Sequence, residues 1–318
     1  MLRFVKALCS YYKKAVRRSG KAVAAPKKTA EAAVPTVAES CVKSEYSGKG
    51  TYTYPDGTRY EGDFLNGRQT GKGKLTWKDN GRYEGDFVDG RLHGKGKFIT
   101  ANGNCYAGDF FYNQRTGKGI FTWANGDRYE GDFLDGKFHG RGILRWVNGD
   151  RYAGDFRENK RTGRGKFTTM DGTCYTGEFL DNKPHGKGFL TWGDGFSYEG
   201  EFAEGKFNGK GKYVSPGGDR YEGDFRNDKF HGNGSLIFGA ETEWAGCRYE
   251  GEFANGEREG KGVYKWADGE RYEGHYVGGK RHGYGIYYYS DGTVKSGYWF
   301  NNTFIGDRED TEETSYKH

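Results

Sequence analysis

His93, His139, His185 and His231 stand 46 residues apart, and imidazole is a common zinc ligand. Carboxylates come in close pairs, as in Glu61/Asp63 and Glu130/Asp132, an arrangement suited to general acid–base work. Gly140-Arg141-Gly142 and its many Gly-Lys-Gly counterparts have the small residues and positive charge of a loop that wraps phosphate. Metal binding, proton transfer and phosphate binding are therefore the three chemistries to weigh. Each depends on which elements carry these residues and on how often the pattern occurs.

The pattern recurs along the chain. Tyr60, Tyr83, Tyr106, Tyr129, Tyr152, Tyr175, Tyr198 and Tyr221 are each 23 residues apart; Tyr249 follows after 28, and Tyr272 restores the step of 23. A glycine comes two residues after each tyrosine. An aromatic comes two residues later still: Phe64, Phe87, Phe110, Phe133, Phe156, Phe179, Phe202, Phe225, Phe253 and Tyr276. Trp77, Trp123, Trp146, Trp192 and Trp266 share a later position, and a Gly-x-Gly pair marks every copy. Ser47-Gly48-Lys49-Gly50 opens the series in mid-repeat, and Gly297, Trp299 and Gly306 close it without the tyrosine. Such odd end copies are expected to be caps.

One copy reads as a β-hairpin. In Tyr129-Glu130-Gly131-Asp132-Phe133 aromatic and glycine residues alternate with acids, the period of a strand with one wet face. Asp135-Gly136, like Asn66-Gly67, Asp89-Gly90 and Asn255-Gly256, suits a tight turn whose two central residues have positive φ. Gly140 to Trp146 reads as the return strand, and Asn148-Gly149 as the turn into the next copy. The expected fold is all-β: an elongated, single-layer antiparallel meander of stacked hairpins, about ten 23-residue repeats over residues 46–306. Each repeat would advance the sheet roughly 10 Å, giving an array on the order of 100 Å long. Glycines inside strands cost stability. Their use here is room for a ring on an adjacent strand to lie over them.

Against these elements the three chemistries recede. Equivalent histidines two repeats apart are roughly 20 Å apart by strand spacing, while zinc ligands sit about 2 Å from the metal. A hairpin-end packing contact or hydrogen bond is the expected role, and no metal site is expected. The acids face Lys72, Lys74, Arg141 and their counterparts, so they read as a solvated cross-strand charge ladder. The Gly-x-Gly steps precede strands rather than helices, so they make no phosphate loop. No Ser/His/Asp or Cys/His group stands out from the repeat background. No catalytic residue or cofactor is expected.

Composition agrees. The chain has 318 residues with 56 glycines, and aromatics are 17% of it, half of the 34% that is hydrophobic. Residues 1–45 hold ten Lys/Arg and three Asp/Glu; the remainder is close to neutral. The array therefore gives no nucleic-acid footprint. Cys9, Cys41, Cys105, Cys174 and Cys247 form no C-x-x-C pair, which fits a reducing compartment. No run of apolar residues reaches the length of a membrane span.

Tyr129-Glu130-Gly131-Asp132-Phe133 with His139-Gly140-Arg141-Gly142 resembles the MORN (membrane occupation and recognition nexus) repeat family. Departures are Thr70, Thr116, Thr162, Asn208 and Glu259 where the family often has histidine, and five extra residues before Tyr249, expected to lengthen a loop on the sheet rim. The resemblance implies a hairpin-stacked, non-catalytic module of the kind found in scaffolds at membranes, cytoskeletal structures and flagella. Some members are joined to lipid kinases or a lysine methyltransferase. Phospholipid binding and self-association through terminal repeats are family themes.

Two regions are candidate sites. The first is the aromatic face, made of the repeat tyrosines 60 to 272, the phenylalanines 64 to 253 and the five tryptophans named above. A single-layer sheet would leave it open to a protein partner or a second copy of the chain, forming a homodimer. Self-covering by twist and ring packing is the alternative. The second is the N-terminal arm. On a helical wheel over residues 1–18, Phe4 and Leu8 lie on the apolar half. Arg3, Lys6, Lys13, Lys14, Arg17 and Arg18 lie on the other. This is the pattern of an amphipathic helix on an anionic phospholipid surface, with Cys9 placed for acylation. Residues 19–45 read as a disordered linker and 307–318 as an acidic flexible tail. The leading expectation is a non-catalytic scaffold at the cytoplasmic face of a membrane or on the cytoskeleton. The alternatives are a regulatory partner of a separate lipid kinase or methyltransferase, and a structural protein imported into mitochondrion or plastid, with the arm as presequence. Only 45 residues precede the array and about a dozen follow, too few for a catalytic domain.

Overall fold

The structure, a computed structural model, describes residues 45–307. The expected helix over 1–18, with Cys9 and the basic residues Arg3 to Arg18, lies outside them, as do most of the linker and the tail. The described residues are all-β, an antiparallel meander of hairpins with 23 strands. They begin with β1 (Gly48–Thr53), β2 (Arg59–Leu65), β3 (Arg68–Thr76) and β4 (Arg82–Val88), and end with β23 (Thr303–Gly306). The chain divides into two compact units. One holds described residues 45–172 with 178–183, the other 173–177 with 184–307.

Between the shorter end strands β1 and β23, a seven-residue strand alternates with a nine-residue one in each unit. In the first unit β8 (Arg128–Leu134) and β9 (Lys137–Arg145) make one repeat, and β10 (Arg151–Arg157) and β11 (Lys160–Thr168) the next. In the second, β18 (Arg248–Ala254) pairs with β19 (Glu257–Lys265), and β20 (Arg271–Val277) with β21 (Lys280–Tyr288). The tight turn behaves as its sequence demands: Asp135 and Gly136 have φ of 49° and 75°. The other turn differs from a two-residue hairpin. Only its glycine is left-handed, Gly149 at 91°, and Trp146 N donates to Asp150 O across a wider loop.

The extra length of the second strand is a β-bulge. Gly131 faces Gly142, yet Asp132 faces His139, so Gly140 and Arg141 are additional residues. Gly140 has φ 53°, and the Asp132 carboxylate accepts a hydrogen bond from Arg141 N at 2.9 Å. A bulge residue in this region favours glycine. A Cβ on Gly140 would also sit 2.6 Å from the Asp132 carboxylate.

The alternation puts tyrosine, phenylalanine and glycine on the inner face. Gly131, Gly142, Gly154 and Gly165 face one another in turn across β8 to β11, forming a row with no side chains. The Tyr129 ring lies over that row. A Cβ on Gly142 would be 2.5 Å from its Cε2 and one on Gly131 2.6 Å from its hydroxyl oxygen. The hydroxyl donates to Asp132 O at 2.9 Å, so the buried polar atom is satisfied. Ring and glycine row recur in the other unit, for example with Tyr221 over Gly223 and Gly234.

The half-copies at the ends use the same device. Tyr46 packs edge-on to Phe64 at 5.6 Å and reaches over Gly50. Phe304 covers Gly297 and meets Trp299 at 5.3 Å.

Candidate functional site

The aromatic face is built one tyrosine at a time. Tyr129 meets Phe133 of its own strand edge-on at 5.2 Å and Phe156 of the next repeat at 5.0 Å, the favoured geometry for ring quadrupoles. Phe138 then lies flat on it, ring centroids 3.8 Å apart. Phe207 covers Tyr198 and Phe230 covers Tyr221 in the same way, each at 3.7 Å. The covering residue stands nine places after the tyrosine: Phe138, Phe207 and Phe230 in three copies and Arg115, Arg161, Arg258 and Arg281 in four others; the same sequence position holds Gln69, Leu92 and Pro184 in the remaining three. Where it is arginine, the guanidinium takes the stacked place, as Arg161 does 5.5 Å above Tyr152.

The outcome corrects the expectation of an open face. Tyr60, Tyr83, Tyr129, Tyr152, Tyr198, Tyr221, Tyr249 and Tyr272 are 0% exposed. Tyr106 and Tyr175 and the repeat phenylalanines Phe64 to Phe253 are buried too, with Trp77 and Trp123. These rings form the core of the protein rather than a contact surface. The sheet is one layer of backbone with its own second layer of side chains laid over it. Of the candidate face, Trp146, Trp192 and Trp266 keep partial exposure. Exposed apolar side chains lie at both hairpin ends, Leu65, Phe111, Leu134, Leu180 and Phe300 at the tight turns and Val147 and Met170 in the wider ones.

Burial sets the ionisation of this core. It raises the hydroxyl of Tyr129 well above the ordinary tyrosine value, with the Asp132 carboxylate adding to the shift. It raises Tyr272 to about 12 against the opposing pull of Arg281. Burial also lowers the Arg161 guanidinium to about 10, which leaves it charged at neutral pH.

The outer face carries the charge ladder. Lys72 joins Asp86 of the next repeat at 2.5 Å, Lys95 joins Asp109 at 2.5 Å, and Arg141 joins Asp155 at 3.3 Å. The acid thus works twice, binding a base of the preceding repeat and fixing its own bulge. Burial alone would raise the Asp132 carboxyl, but the Lys118 hydrogen bond and the Arg141 amide outweigh it and hold it below its ordinary value. His93 packs against Phe111 at 5.3 Å and Tyr112 at 5.0 Å, and His282 against Phe300 at 5.2 Å, so these rings serve hairpin-end packing. Among the described residues no group of His, Cys, Asp or Glu is placed to hold a metal ion.

Repeats are also joined at both hairpin ends, which the sequence reading missed. At the tight turn, Asn159 Oδ1 accepts the amide of Phe138 and Asn182 Oδ1 that of Arg161, each residue in the preceding repeat. At the wider turn, Asp127 accepts the amide of Val147 and Asp150 that of Met170 in the following turn. The sequence signals were an Asn standing where other copies have the tight-turn glycine, as Asn159 and Asn182 do against Gly136, and an Asp directly after the glycine of the wider turn, as in Gly126-Asp127 and Gly149-Asp150.

The repeat pattern of the MORN family matches eleven consecutive segments, 42–59, 60–82, 83–105, 106–128, 129–151, 152–174, 175–197, 198–220, 221–240, 249–271 and 272–294. The chain belongs to the MORN repeat family. No curated protein matches its sequence. Among solved structures it is similar to the SAS-4 (dCPAP) TCP domain of Drosophila melanogaster in complex with a proline-rich motif of Ana2 (dSTIL). That likeness has 11% identity over 64% of this chain and 92% of that one, TM-score 0.27. It is also similar to the G-box domain of the microcephaly protein CPAP, with 15% identity over 80% of this chain and 100% of that one, TM-score 0.26. Neither likeness carries an argument about partners.

Proposed function

We propose that this MORN-repeat chain is a scaffold that holds protein partners, tethered through residues 1–18 to an anionic membrane surface or the cytoskeleton beneath it. The observation that supports it is uniformity. Each repeat buries its tyrosine under its own cover and spends its acids on the ladder and bulge, so the residue types suited to chemistry are absorbed by structure in copy after copy. What remains for partners is the part of the aromatic face left partly exposed, at Trp146, Trp192 and Trp266, with the apolar turn-end side chains. The tether is supported by the excess of base over acid in residues 1–45, each basic residue being worth about 1 kcal/mol near anionic lipid. Catalysis forms no part of this role.

Co-sedimentation with phosphatidylserine-containing vesicles tests the tether, comparing the full chain with a chain lacking residues 1–45. Full-chain binding that falls with salt, and its loss on truncation, is expected. Equal, salt-independent binding by both would exclude the arm as tether. N-terminal sequencing of the native protein separates the import alternative, since removal of the first 20 to 40 residues or so, a presequence-like length, leaves no permanent anchor.

A further inference from the structure

The one step of 28 residues in the array builds a cavity. Residues 239–248 carry the extra length. Phe238 N donates to Cys247 O at 3.0 Å to close the loop, and Phe238, Gly239 and Cys247 are buried. The loop brings Trp244 to the wall of a cavity of about 440 Å³ in the second unit, whose other aromatic lining includes Phe238, Tyr264, Trp266 and Tyr276.

The polar lining is unbalanced. It holds Arg258, Lys280 and Arg281 against one acid, Glu257. Arg258 stands 5.1 Å from the ring centroid of Tyr264 and 4.9 Å from that of Tyr276. Its Nη2 donates to Gly279 O, and its Nε has no hydrogen-bond partner. Arg281 spreads 4.4 Å above Trp299 and donates to Asn302 O at 3.2 Å. Among the described residues neither guanidinium pairs with a carboxylate. Burying the Arg258 guanidinium among rings without a counter-ion is costly, and a carboxylate arriving there would recover part of that cost.

A suitable segment follows in the chain. Asn302 belongs to the cavity wall, and the last strand ends at Gly306. Asp307, Glu309, Asp310, Glu312 and Glu313 come next, then Tyr316. Six extended residues span roughly 20 Å, enough to turn back from the end of β23 to that wall. The basic N-terminal arm has the wrong charge for this site.

We propose that the acidic segment 307–316 docks in cis at this cavity. Its carboxylates meet Arg258, Lys280 and Arg281, and Tyr316 enters among the aromatic walls. This does not depend on the membrane tether.

The test is zero-length carbodiimide cross-linking of the full chain, prepared as an equal mixture of light and heavy isotope forms, with mass spectrometry of the links. The expected result joins Lys280 to Glu309, Asp310, Glu312 or Glu313 within one isotope form. Lys206, at the same place in a hairpin three repeats earlier, should link at least about tenfold less, since linkage follows local effective concentration. Second, a peptide of residues 307–318 is titrated against the full chain and against a full chain carrying Glu309→Gln, Asp310→Asn, Glu312→Gln and Glu313→Gln, read by tryptophan emission. The peptide should bind the neutralised chain about tenfold or more tightly than the native one, because the tethered tail competes, and Lys280→Glu in the neutralised chain should weaken it. Equal linking of Lys280 and Lys206, links between isotope forms, or equal peptide binding to both chains would overturn the proposal. Lys280 is exposed, so Lys280→Glu reads the site without endangering the fold.

Discussion

A glycine beneath a tyrosine is the unit on which the array rests. Gly142→Ala would put a methyl carbon 2.5 Å from the Tyr129 ring, within a row of facing glycines that leaves the backbone little room to yield. Overpacking of this kind costs about 1–3 kcal/mol, and a lowered thermal midpoint is the expected result. Gly269→Ala is a useful contrast. A Cβ there meets nothing within 4 Å, and its only cost is the φ of 95°. The covered tyrosines also predict an alkaline limit. Folded Tyr129, Tyr152 and Tyr221 hold their protons above the ordinary value, with burial as the main cause, whereas unfolded tyrosines release theirs near pH 10. Above that pH the folded state binds more protons than the unfolded state, so stability falls as pH rises. Circular dichroism against pH should show full structure below about pH 10 and progressive loss above it.

At the level of the hairpin, the acid of the ladder matters more than its base. Lys118 is largely exposed and Asp132 half-buried. Lys118→Ala removes only a surface pair, worth about 0.2–1 kcal/mol. Asp132→Ala also releases the Arg141 amide that fixes the bulge, so urea titration should show the larger loss for the acid. The depressed Asp132 value gives a matching pH signature. Its contribution is present above the unfolded carboxylate value near 4 and is lost as pH falls through the lower folded value. The turn staples can be tested separately. Asn159→Gly keeps the positive φ but loses the bond to Phe138 N, a cost of about 0.5–1.5 kcal/mol. Asn159→Ala must in addition hold alanine at φ 67°, worth roughly 1–2 kcal/mol more.

For the whole molecule, the important property is that each repeat, beyond its own cover, packs on the adjacent repeat, as Tyr129 does on Phe156, so coupling is between nearest neighbours. Hydrogen exchange on Gly142→Ala should show lost amide protection over Arg128–Thr168 and unchanged protection over Arg220–Ile237. A uniform loss along the chain would contradict the nearest-neighbour picture. The same locality explains how the array carries a loop of extra length. The insertion at 239–248 changes the local lining and creates a cavity, while β18 and β19 keep the common register, Gly251 facing Gly262 as elsewhere.

The sequence by itself determined the repeat, the alternation of strand and turn, the glycine row, and the sorting of rings and charges onto opposite faces. These are local properties: a period of two and an Asp-Gly or Asn-Gly step constrain the backbone wherever they occur. The tertiary structure decided what covers the rings. The covering place is filled by Phe138 or Phe207 in some copies and by Arg115 or Arg161 in others. It leaves no pattern in the sequence because its requirement is geometric, a side chain able to lie flat on tyrosine, and several chemistries meet it. The bulge, the side-chain staples between repeats and the unbalanced cavity beside Arg258 were equally hidden, since each depends on residues brought together from different strands. A pattern of alternation says which side of a sheet is apolar, but only packing says whether that side remains open.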